Sequence, residues 1–115
     1  MYQESASDCL ALNDPNVVAS IRKGVQESAK QGLAASAEDM VDGFQDWAGD
    51  LTDISVPVTL YHGAADPNIP IEGVREMAND HPHILRLIEE TDGGGQLCYS
   101  HFETVLDLTF PKTVI

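Results

Sequence analysis

Only two short stretches of this chain have the character of strands, and that scarcity constrains the fold more than any other feature. "SVPVTLYHG" at 55–63 is a β-branched run bounded by turn residues, with Pro57 tolerable only near its beginning. "HILRLIEET" at 83–91 is the second short apolar run. Between them "PIEGVREMAND" sets Ile71, Val74, Met77 and Ala78 on one side of a helix that stops before Pro82. After them comes the flexible loop "DGGG", then "SHFETVLDL", a last helix with Phe102, Val105 and Leu106 as its expected buried face. Strand, helix, strand, helix implies a right-handed parallel βαβ unit.

The chain before residue 50 has a different period. Asp14 and Pro15 suit a helix start, and Val17, Ile21, Val25 and Ala29 then recur at intervals of four until Gly32. Ser36 with Asp39 has the spacing of a capping pair, and Met40, Phe44 and Trp47 make a second apolar stripe that Gly49 can end. Two segments result: a helical one at 1–50, and a parallel βαβα one at 51–115. Two parallel strands are marginal as an independent sheet, because parallel strands are normally buried on both faces with neighbours at their edges. Another chain, a second copy, or an N-terminal half supplying further strands is therefore expected to complete it.

Charge and composition exclude several functions. Six Lys plus Arg stand against 19 Asp plus Glu, a formal charge of -13 that repels phosphate backbones and anionic lipid surfaces, so no nucleic acid and no membrane are expected as partners. No apolar run approaches the ~18 residues that span a bilayer, and "MYQESASDC" lacks the basic start and apolar stretch of a signal peptide. The expected location is cytoplasmic. Cys9 and Cys98 have neither CxxC spacing nor a His at metal spacing, which reads as two free thiols in a reducing compartment. Gly93 to Gly95 lack the Lys and Ser or Thr of a P-loop, and no Cys or carboxylate spacing supports a metal site built on His62, His81, His83 or His101. Neither a cofactor nor a metal is expected.

In open α/β sheets, ligands gather beyond the carboxyl ends of the strands. Asp66 follows the first strand and "DGGGQLCYSH" follows the second, so both loops are expected on one edge. An Asp before a Pro is also the ordinary composition of a turn. In sequence, "ISVPVTLYHGAADPNIP" followed by "LRLIEETDGGGQLCYSHFETVL" resembles the C-terminal part of the α/β-hydrolase superfamily, and "SASDCLALNDPNV" and "KQGLAASAEDM" are similar to the helical cap that precedes its acid strand. The resemblance implies a partial α/β-hydrolase-like fold, a helical cap segment before a parallel βαβα unit. It places Asp66 at the triad acid, which holds the base imidazole in its correct tautomer. Gln96 stands where the triad His is expected, and a Gln amide cannot shuttle a proton from a hydroxyl. His101, five residues on at the start of the last helix, is the candidate for a displaced base.

The nucleophile of that superfamily sits on a G-x-S-x-G elbow, and no serine here has Gly two positions away on both sides. The resemblance therefore implies a Ser and an oxyanion loop supplied upstream of these residues, and an ester-like small molecule as substrate of the complete lineage. This chain by itself is expected to be inactive. A noncatalytic hydrolase-like module that binds a protein partner or a small apolar ligand is the alternative, with Phe44 and Trp47 lining a tunnel under the cap or packing as ordinary core.

Overall fold

The computed structural model describes residues 3–46, 48–110 and 112. It is a mixed α/β chain in the expected order. Helix α1 spans Ala6–Leu12, α2 Pro15–Ser28 and α3 Leu33–Asp42, with short 3-10 turns at Ala29–Gln31 and Ala48–Asp53. Strand β1 (Val58–Gly63), helix α4 (Ile71–Asp80) and strand β2 (Leu85–Glu90) follow, and two helices, α5 (Leu97–Ser100) and α6 (Phe102–Thr109), end the described chain.

The local chemistry accounts for most of these bounds. Asp14 caps α2 by accepting from the Asn16 N–H at 2.8 Å, with Pro15 at the first helical position where no N–H is needed. Gly32 then takes φ 93°, a left-handed conformation that suits a residue without Cβ, and turns the chain directly into α3. The strands run parallel, from Val58 opposite Leu85 to Gly63 opposite Glu90. Helix α4 packs on both and buries Ile71, while Ile84 and Leu85 complete the small core together with Ala11 of α1. Arg75 of α4 also donates from Nε and Nη2 to the two oxygens of Glu89 on β2, at 2.8 and 2.7 Å. That fork fixes orientation; at this exposure it contributes about 0–1 kcal/mol.

Three sequence expectations are corrected. Ser36 and Asp39 do not cap a helix, because the turn at Gly32 starts α3 earlier and leaves both inside it. The stripe from Met40 to Gly49 is interrupted, since α3 ends at Asp42 and Gly43 closes it; Phe44 stands exposed and Trp47 lies outside the described residues. The last helix is broken at His101 into α5 and α6, and Phe102 and Leu106 face solvent while Val105 is half-buried.

Much apolar surface therefore remains uncovered. Leu33, Met40, Val41 and Phe44 around α3 and Phe102, Leu106 and Leu108 on α6 are exposed, and among the described residues the sheet has only its two strands. The radius of gyration, 16.1 Å, exceeds the roughly 13 Å of a compact domain of this length. The chain is accordingly expected to self-associate, more strongly at high salt, where its repulsive charge of -13 is screened. Sedimentation velocity over a range of concentration and ionic strength checks this; a monomer under every condition refutes it.

Candidate functional site

The loops after β1 and β2 leave the same edge of the sheet and touch. Ala64 N–H donates to the Glu90 carbonyl at 2.8 Å and Ala65 N–H to the Gly93 carbonyl at 2.9 Å, extending the ladder past the strand ends. Asp66 lies just beyond, half-buried. Its Oδ1 accepts from the Asn68 and Ile69 N–H groups at 2.8 and 3.1 Å, which is the geometry of an Asx turn. Asn68 in turn exchanges two hydrogen bonds with the backbone of Gln3. His62, on β1, donates from Nε2 to the Ile69 carbonyl at 2.9 Å and so braces the same turn. The carboxylate of Asp66 thus organises its own loop.

Gln96 lies at the other loop, where its backbone joins an unexpected partner. Its N–H donates to Asp8 Oδ1 at 2.7 Å, and the Gly95 N–H donates to Asp8 Oδ2 at 3.0 Å. Asp8 belongs to α1 and is wholly shielded from solvent. It also accepts from the Ser5 N–H at 3.1 Å, while the Ser5 hydroxyl accepts from the Asp8 N–H at 3.2 Å, which makes the reciprocal capping box of α1. Burial pushes the carboxyl pKa up, but donors from the backbone of Ser5, Gln96 and Gly95 and from the Ser5 hydroxyl outweigh it and hold it below its ordinary value. A Cβ at Gly94 would run into Asp8 Oδ2 and Ser5 Oγ, so only glycine lets this carboxylate reach the loop. The signal was present in the sequence as "SASD", the S-x-x-D pattern that opens α1.

His101 caps α5 and faces a different acid from the one expected. Its Nδ1 lies 2.8 Å from Ser100 Oγ, and its Nε2 lies 3.9 Å from Glu90 Oε1, within ion-pair reach once the ring is protonated. The other Glu90 oxygen accepts from the Tyr61 hydroxyl at 2.7 Å. Tyr61 opposes Ile88 across the parallel ladder, so residue 90 is its diagonal neighbour on the same face. Burial first, and then the Glu90 carboxylate, push the Tyr61 phenol up to about 12, against a weaker opposing effect of Thr104. The structure therefore brings His101 to Ser100 and Glu90, while Asp66 serves its own turn and the Gln96 backbone holds Asp8.

No family model, curated protein or solved structure matches this chain. Among the described residues no group of three or more His, Cys, Asp or Glu is arranged to hold a metal ion, and no helix is long and apolar enough to cross a membrane. Cys9 and Cys98 are both free and exposed.

Proposed function

We propose that this chain carries the acid and base loops of an α/β-hydrolase-like protein whose nucleophile elbow and remaining strands come from further polypeptide, and that by itself it does not turn over esters. The observation that carries this reading is the meeting of the Asp66 loop and the Gly93–His101 loop at the carboxyl edge of a parallel βαβα unit, held by the Ala65 to Gly93 hydrogen bond. The uncovered sheet edges and apolar helix faces support the need for further strands. Absence of an elbow serine and the amide at Gln96 support the lack of turnover.

A noncatalytic binding module is the second reading. It is favoured by the engagement of the Asp66 carboxylate within its own turn and by the exposed side chains of Leu33, Met40, Val41 and Phe44. Sequencing the encoding transcript upstream separates the two, since the hydrolase reading expects a G-x-S-x-G after an apolar strand there. For the chain as it stands, steady-state turnover of p-nitrophenyl acetate and butyrate is expected at background. Sustained turnover that Asp66→Asn abolishes would make Asp66 a working triad acid and overturn the inactive reading.

A further inference from the structure

Ser100, His101, Glu90 and Tyr61 form a polar cluster that the resemblance does not assign. Ser100 Oγ and His101 Nδ1 are at hydrogen-bond distance, 2.8 Å, and a serine hydroxyl that donates to Nδ1 leaves the ring proton on Nε2. That nitrogen faces Glu90 Oε1 at 3.9 Å, and the Tyr61 hydroxyl fixes the carboxylate from its other oxygen at 2.7 Å. A hydroxyl, a base within reach of it and a carboxylate within ion-pair distance of that base once it is protonated are the parts of an activated nucleophile. Both Ser100 and His101 line a cavity of about 380 Å³ between α1, α2 and α5. Leu10, Ala11 and Val17 give that cavity an apolar side, whereas Asp14 and Asp92 make its rim acidic.

We propose that Ser100 is a nucleophile, activated by His101 whose protonated ring Glu90 stabilises, that takes the acyl group of neutral, short-chain activated esters bound in this cavity. Anionic acyl donors are disfavoured by Asp14 and Asp92, and the apolar side accommodates a short alkyl chain. In the step itself, the Ser100 proton passes to His101 Nδ1 as Oγ bonds to the acyl carbon. The bond from that carbon to the leaving oxygen breaks, and the leaving group departs with the electron pair as an alkoxide or phenolate. The imidazolium is stabilised by Glu90, then releases its proton to water. Missing oxyanion donors slow both half-reactions, by about 10²–10³ in rate per donor, but a nitrophenolate is a far better leaving group than the Ser100 alkoxide, so deacylation is the slower step. One acyl group is therefore retained per chain, which is compatible with background turnover.

The test uses the full chain in a Cys9→Ala, Cys98→Ala background, which removes the exposed thiols from competition. Incubation with p-nitrophenyl butyrate is expected to give a burst of nitrophenolate of about one equivalent, with the butyryl group found on Ser100 by peptide mapping. His101→Gln is expected to slow labelling by about 100-fold or more, the scale of a lost general base. Glu90→Gln should slow it less, and p-nitrophenyl succinate, carrying a free carboxylate, should label more slowly than the butyrate. Ser100→Ala should abolish the adduct at this position; if that variant fails to fold, mapping of the parent chain still decides the matter. Labelling spread over Ser20, Ser55 and lysines, absent at Ser100, or unaffected by His101→Gln in a chain with unchanged circular dichroism, overturns the proposal. Failure here leaves the hydrolase-like reading standing, since that reading depends on the upstream elbow and on Asp66.

Discussion

Replacing Asp8 by Ala is expected to lower the unfolding free energy by about 3 kcal/mol. The substitution strips acceptors from the Ser5, Gly95 and Gln96 N–H groups, which lie at 3.1, 3.0 and 2.7 Å from the carboxylate. Each buried donor left without a partner costs about 1–3 kcal/mol, and solvent entering the emptied site offsets part of the sum. Asp8→Asn should not rescue the loss, although it preserves the volume, because one face of the amide presents N–H groups to N–H donors. The shift in urea midpoint at fixed protein concentration measures both variants. The same carboxylate sets an acid dependence. Its pKa is lower in the folded chain than its ordinary value, so its contribution is complete above the unfolded value near 3.9 and is lost as the pH falls through the folded one. The gap between parent and Asp8→Ala should therefore narrow below about pH 4. A gap that persists unchanged at lower pH would mean that the ionised carboxylate is not what holds the loop.

The reach of the sequence can be judged from two copies of one pattern. Ser5 with Asp8 and Ser36 with Asp39 share the S-x-x-D spacing, yet only the first forms a capping box. The second was overridden four residues upstream, where Gly32 adopts a positive φ and nucleates α3 before Ser36 is reached. Spacing states what a pair can do; the backbone conformation that precedes it decides whether it does. Strands β1 and β2 and helices α2 and α4 were legible because period, turn residues and Pro15, Pro57, Pro70 and Pro82 agree on their limits. The apolar stripe of α6 was legible as a pattern but not as a burial, because the described chain leaves Phe102 and Leu106 exposed.

The site was readable only as far as its loops. Their adjacency follows from parallel strands, and the Ala65 to Gly93 hydrogen bond places them side by side. Which acid faces His101 depends on side-chain direction across two strands, and the diagonal of Tyr61 and Glu90 cannot be read from either segment alone. Likewise the reach of Asp8 over 88 positions to Gln96 has no local signature beyond the cap it also forms.

Gly63→Ala is expected to be as damaging as the loss of Asp8, for the opposite reason. A Cβ at Gly63 would strike the Gly93 carbonyl and come within 2.7 Å of the Gly94 carbonyl oxygen. These are backbone atoms, which cannot swing aside as a side-chain tip would. Relief requires the two loops to separate, and that strains the Ala65 to Gly93 hydrogen bond at 2.9 Å and draws Gly95 away from Asp8. Overpacking of this kind costs about 1–3 kcal/mol, and with backbone on both sides the upper end is expected. Gly24 in α2 and Gly73 in α4 provide matched controls, since a Cβ at either meets nothing within 4 Å. Alanine there should stabilise the chain by about 0.5–1 kcal/mol through helix propensity. The three substitutions, compared by urea midpoint in one buffer, should thus split in sign. Because the Glu90 carbonyl accepts from Ala64 in the same junction, Gly63→Ala should also slow acylation of Ser100, while Gly24→Ala and Gly73→Ala leave it unchanged. A Gly63→Ala chain as stable as its parent would show that the loops are free to part, and the pairing of the two strand ends could not then be what positions the site.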